Sequence, residues 1–158
     1  MTGKADFTDE EWKDVLQGPP TAGMIVVTAE RGGTFRESIS MAKAYAEART
    51  EHGESQLLDE IVATKPEIDR TRYHSVEELN EHGLKHLGEI VALLESKATA
   101  AEVDEYRQFV LTLAQRVAAA HREGFLGLSG ERVSDAERAA VGEIATAIGA
   151  PAPEPDAG

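Results

Sequence analysis

The chain has 158 residues, a formal net charge of −13 at pH 7 and no cysteine. This length suits one ordinary domain, and a hydrophobic content of 41% is enough to form a core, which excludes a disordered chain. The absence of cysteine excludes disulfides, thiolate metal sites and cysteine nucleophiles, and it fits a reducing cytoplasm. The negative charge, with no cluster of Lys and Arg within it, argues against nucleic acid as a partner.

No segment has the character of a membrane span or of a signal peptide. The longest apolar run, 22–29, is far too short to cross a bilayer. Acidic residues, and not an apolar stretch, follow the N-terminus. We therefore expect a cytoplasmic protein that does not insert into a membrane.

A repeated helix-start pattern indicates the fold class. In each copy a Ser or Thr is followed three residues later by Glu, so the hydroxyl can accept from the Glu amide while the carboxylate accepts from the first residue's amide. The copies lie at 8–11, 75–78, 99–102 and 134–137. The apolar segment 21–29 has no second segment to pair with as a strand, so we predict an all-α fold. This fold is a single-domain bundle of six or seven helices over residues 1–149.

In chain order, the pattern first predicts a short helix that begins at Thr8 and ends at Gly18, because Pro19 and Pro20 suit the first turn of a new helix. The new helix, 21–29, is apolar on all sides, which is typical of the central helix of a bundle. Amphipathic helices are then predicted at about 35–49, 54–64, 76–97, 100–123 and 135–148. Residues 150–158 are rich in Pro and Ala and are predicted to form a flexible tail.

Histidine placement provides a candidate metal site on the predicted helix 76–97. Glu78, His82, His86 and Glu89 fall on one stripe about 80° wide, beside the apolar face of the helix. Imidazoles at positions i and i+4 with carboxylates nearby can bind a divalent transition metal ion. Boundary positions of amphipathic helices also carry His and Glu that are only solvated, and one helix alone would leave the site open. A second copy of the chain could supply the missing ligands.

Two glycine-containing turns have related surroundings. The apolar segment 22–29 runs into an acidic Gly turn at 30–32, and a second turn at 130–132 is followed by a helix start and by the apolar segment 144–149. This pattern resembles the two halves of TerB-type tellurite-resistance domains, over roughly the first 50 and the last 40 residues. The resemblance implies an all-helical bacterial domain associated with stress, with an acidic cation site. The matching acidic positions are Glu30, Glu37, Glu131 and Glu137.

Three functions are left open by the sequence, and no catalytic residue is assigned. The leading hypothesis is a non-catalytic, stress-associated binding or scaffold protein, whose partner is another protein or a second copy of the chain. The second is a protein that binds a divalent metal ion through the stripe of His and Glu residues. The third is a small-molecule binder or enzyme with a pocket between helices near Tyr45, Tyr106 and His121.

Overall fold

The structure, a computed structural model, describes residues 3–29, 43, 45–47, 56–64, 75–123 and 135–149. Within these residues the secondary structure is helical and contains no strand, which confirms the predicted all-α class. A short 3-10 helix (Lys4–Asp6) precedes the α-helices α1 (Asp9–Ala29), α2 (Gln56–Ala63), α3 (Val76–Lys97), α4 (Ala100–Glu123) and α5 (Asp135–Ile148). None of the described helices has the length and apolar character needed to cross a membrane.

Helix α1 is the centre of the bundle, as the sequence predicts for its apolar segment. It packs against α3, α4 and α5. Lys97 at the end of α3 pairs with Glu11 near the start of α1, whereas Gly83 near the start of α3 lies against Ile25 in the second half of α1. The two helices therefore run in opposite directions. The largest fully buried side chains come from all of the α-helices and from residue 45: Tyr45, Tyr106, Ile25, Leu57, Ile61, Leu87, Ile90, Leu94, Leu113, Ile144 and Ile148.

The predicted helix starts are stabilised by the reciprocal hydrogen bonds expected from the sequence. The amide of Thr8 donates to Glu11 Oε1 at 2.8 Å, and the amide of Glu11 donates to Thr8 Oγ1 at 3.1 Å. Thr99 and Glu102 make the same pair of bonds at 3.0 and 3.2 Å. In a third copy, the Ser75 hydroxyl accepts from the amide three residues on at 3.0 Å. The fourth copy begins outside the described residues.

Lys97, the last residue of α3, contacts the N-terminal segment of the chain. Its ammonium donates to the Asp6 carbonyl at 3.1 Å and to Glu11 Oε1 at 2.9 Å, and it lies 5.4 Å from the centroid of the Phe7 ring. The Thr8 amide, followed by the Lys97 ammonium, holds the pKa of Glu11 below its ordinary value. The first half of α1 is thus tied to α3 by charge as well as by packing.

The predicted helix break at Gly18 is wrong, because α1 continues through Gly18, Pro19 and Pro20. In a regular helix the amide of residue 19 would donate to the Val15 carbonyl, and proline has no such amide. The Tyr106 hydroxyl of α4 donates to that carbonyl instead, at 2.8 Å. A donor from a neighbouring helix therefore replaces one that the prolines remove, and the helix is not interrupted. The predicted tail at 150–158 lies outside the described residues.

Candidate functional site

The predicted metal stripe lies at the edge of the contact between α3 and α1. His86 is only 7% exposed, and its Nε2 atom lies 3.2 Å from Asp14 Oδ1 of α1. A carboxylate oxygen only accepts, so the imidazole Nε2–H is the donor in this contact. His82 and Glu89 are exposed, and Glu78 is half-buried. The four residues therefore divide into one buried imidazole that binds α1 and three side chains that reach solvent.

Metal binding by this stripe stays a prediction. Among the residues that the structure describes, no group of three or more His, Cys, Asp or Glu side chains is placed so that it could hold a metal ion. A second copy of the chain, as the sequence analysis suggests, is one source of further ligands for the stripe. His86 would also have to leave Asp14 to contribute its Nε2 atom.

The acidic positions suggested by the TerB resemblance are not placed by the structure. Glu30, Glu37 and Glu131 lie outside the described residues. Glu137 lies in α5, but its side chain is outside the described part as well. The acidic cation site therefore stays a prediction.

The two tyrosines of the predicted pocket are core residues. Tyr45 is 2% exposed and Tyr106 is 1% exposed. The Tyr45 ring packs edge-on against Phe109, with 5.2 Å between the ring centroids. His121 lies in α4, but its side chain is not among those described, so the pocket itself stays a prediction.

The Tyr106 hydroxyl is held in its neutral form by its surroundings. Burial raises the pKa of Tyr106 well above its ordinary value, and the neighbouring Tyr45 raises it further. A neutral phenol is a hydrogen-bond donor, which is the form that the Val15 carbonyl requires. The hydroxyl is thus suited to a permanent structural bond and not to proton transfer near neutral pH.

Gly18 makes room for this hydroxyl. A Cβ atom at position 18 would lie 2.0 Å from Tyr106 Oη and 3.2 Å from Tyr106 Cζ. Since the Tyr106 side chain is almost completely buried, a shift away from such a Cβ atom would have to displace its packed neighbours. Gly18, Pro19, Val15 and Tyr106 therefore form one unit, which we call the tyrosine latch.

The sequence interpretation missed the tyrosine latch, although a signal was present. If the helical phase is carried through the two prolines, the apolar positions that the structure buries on both sides of them fall within one sector about 140° wide. These positions are Trp12, Val15, Ala22, Ile25 and Val26. A shared apolar face across Gly-Pro-Pro indicates one helix and not two, but it does not reveal which residue supplies the missing donor.

Comparison of the chain with protein-family models, with curated proteins and with solved structures gives no match. The resemblance to TerB-type domains therefore stays a prediction.

Proposed function

We propose that this protein is a non-catalytic binding or scaffold protein, and that its partner is another protein or a second copy of the chain. One observation carries the proposal: two buried side chains capable of acid–base chemistry are used to join helices. Tyr106 of α4 donates to the Val15 carbonyl of α1, and His86 of α3 binds Asp14 of α1. Both groups thus have structural partners, and the proposed function rests on the exposed surface of the described helices.

The charge of that surface indicates what kind of partner it suits. On α3, four glutamates are exposed against two lysines: Glu77, Glu81, Glu89 and Glu95 against Lys85 and Lys97. The whole chain carries a net charge of −13. An acidic surface speeds encounter with a basic protein surface and repels phosphate groups. A protein partner with a basic contact surface therefore fits better than nucleic acid, and the resemblance to TerB-type domains adds an association with stress.

The first experiment is native mass spectrometry of the untagged full chain, purified from a metal-replete host, together with elemental analysis of the same sample. A metal-free complex of fixed stoichiometry, with a second copy or with another protein, is the expected result. A monomer that carries one equivalent of a transition metal ion or of a small molecule would contradict the scaffold role. That result would favour one of the two alternative functions.

A pair of variants assigns any metal that is found. His82→Ala combined with Glu89→Gln removes the two exposed members of the stripe and leaves the contact between His86 and Asp14 in place. Glu81→Gln is the matched control, because Glu81 is exposed on the same helix but lies outside the stripe. Metal content lost in the double variant and kept in the control would assign the ion to the stripe.

If a protein partner is found, charge variants test the role of the α3 surface. Glu81→Lys with Glu89→Lys is expected to slow association, and Lys85→Glu on the same helix is expected to speed it. Both effects should shrink as ionic strength rises, because exposed charges are screened. Association rates that are equal in all variants at low salt would place the contact surface elsewhere.

A further inference from the structure

We infer that α1 is a hinged helix, in which Gly18-Pro19-Pro20 is the hinge and the Tyr106 hydroxyl is the latch that keeps the two halves in line. Release of the latch would allow the turn that follows the prolines, residues 21–24, to open more often while the first half of α1 stays in place. This inference is independent of the proposed binding role.

The hinge lies where α1 loses its own hydrogen bonds. Pro19 and Pro20 have no amide hydrogens, so two consecutive carbonyls, those of Val15 and Leu16, lose their partners within the helix. Gly18, directly before them, adds backbone freedom that any other residue would restrict. Sharp bends in helices concentrate at proline and glycine, so this tripeptide is the weakest point of α1.

The latch is a single tertiary hydrogen bond at that weakest point. The Tyr106 hydroxyl lies 2.8 Å from the Val15 carbonyl oxygen and replaces one of the two missing donors. The close approach depends on Gly18, because a Cβ atom there would occupy the position of the hydroxyl. A buried carbonyl without a donor is costly, so the bond favours the arrangement in which α1 is continuous.

Both sides of the hinge bury apolar side chains, and the first side has polar ties as well. Before the hinge, Trp12 and Val15 are buried, Glu11 pairs with Lys97 at 2.9 Å, and Asp14 binds His86 at 3.2 Å.

After the hinge, Ala22, Ile25 and Val26 are buried. The polar ties fix the direction of the first side, whereas the backbone of the second side is kept in line with it through the hinge. Loss of the latch therefore loosens the turn that follows the prolines, residues 21–24, before other parts of α1.

Amide hydrogen exchange of the full chain, followed by mass spectrometry, tests the latch directly. Tyr106→Phe removes the donor and keeps the ring, and Tyr45→Phe is the matched control because it removes a hydroxyl from the other buried tyrosine of the described core. We expect the amides of residues 21–24 to exchange about tenfold faster in Tyr106→Phe. The amides of α3 and α4 should change much less, and Tyr45→Phe should not single out α1. A uniform acceleration across all helices in Tyr106→Phe would overturn the inference.

A second variant keeps the test decisive if Tyr106→Phe is generally unstable. Pro19→Ala restores the amide that can donate to the Val15 carbonyl within α1, so the Tyr106 hydroxyl becomes dispensable. In this background we expect Tyr106→Phe to accelerate exchange at 21–24 less than about threefold. An equal acceleration with and without Pro19 would show that the hydroxyl does not act by replacing the missing amide.

Discussion

The two halves of α1 lie in one continuous helix but are fixed in different ways. The first half buries Trp12 and Val15 and is also tied through charged and polar side chains to α3. The second half is held by buried Ala22, Ile25 and Val26. Hydrogen bonds and ion pairs set direction and register, whereas apolar burial sets how strongly a segment is held. The polar ties described above lie before the prolines, where the backbone lacks bonds of its own, and apolar burial continues on both sides.

Typical magnitudes indicate that apolar burial, in both halves, contributes more to stability than the polar ties do. Complete burial of a Val or Ile side chain is worth about 1.5–3 kcal/mol, and Val15, Ile25 and Val26 are almost fully buried. An ion pair between partly exposed side chains, such as that of Lys97 with Glu11, contributes less. The polar ties of the first half therefore matter more for the direction of the helix than for the free energy of unfolding.

The largest effect is expected for Gly18→Ala, at the junction of the two halves. The new methyl group would lie 2.0 Å from Tyr106 Oη, so the tyrosine has to shift and its bond to the Val15 carbonyl is lost. Overpacking and an unsatisfied carbonyl together should lower the free energy of unfolding by about 4 kcal/mol. Urea denaturation followed by circular dichroism measures this loss.

Gly142→Ala is the matched control for that substitution. Among the described residues, no atom beyond the backbone of its own helix lies within 4 Å of a Cβ atom built at position 142, which is also inside a helix. Alanine is the better helix former, so this variant should gain about 0.5–1 kcal/mol. A gain at both positions would mean that Tyr106 does not occupy the space beside Gly18.

The second-largest loss of stability is expected for substitutions at Ile25, which test the packing of the second half of α1. Ile25→Ala removes a fully buried side chain and should cost about 3 kcal/mol, whereas Ile25→Val should cost about 1 kcal/mol. Chemical denaturation of both variants provides the comparison. Equal and small costs for the two substitutions would show that residues 21–29 already pack loosely in the native state.

A smaller effect is expected at alkaline pH, and it isolates the Tyr106 hydroxyl. Its pKa is raised above 10.0 in the folded chain, so stability is fully present below pH 10 and falls as the unfolded chain loses this proton at higher pH. The slope from this one group is at most about 1.4 kcal/mol per pH unit. Tyr106→Phe has no proton to lose, and its stability should therefore fall less steeply between pH 10 and 11.5. Parallel urea titrations of the two proteins measure the difference, and identical slopes would argue against a neutral, buried hydroxyl.

The sequence predicts those features of the fold that depend on contacts between residues close together in the chain. The bounds of α3, α4 and α5 follow from capping residues and apolar periodicity, both of which act within a few residues, and they are confirmed. The continuity of α1 was missed because it depends on Tyr106, 91 residues away from the carbonyl it binds. Likewise, the stripe on α3 is readable from helical spacing, but the burial of His86 against Asp14 arises only when α1 is packed beside it.

The smallest effect concerns the polar ties of the first half and is best followed at the carboxyl group itself. The pKa of Glu11 is lowered from its ordinary value of 4.5, first by the Thr8 amide and then by Lys97. The lowered value means that the interaction contributes stability above pH 4.5 and that this contribution is lost as pH falls through the pKa of the folded state. Lys97→Met should raise the pKa of Glu11 only part of the way towards 4.5, because the Thr8 amide remains in place. NMR titration of the Glu11 carboxyl carbon in both proteins measures this shift. A complete return to 4.5 in Lys97→Met would mean that Lys97, and not the helix start, is the main tie of the first half to its surroundings.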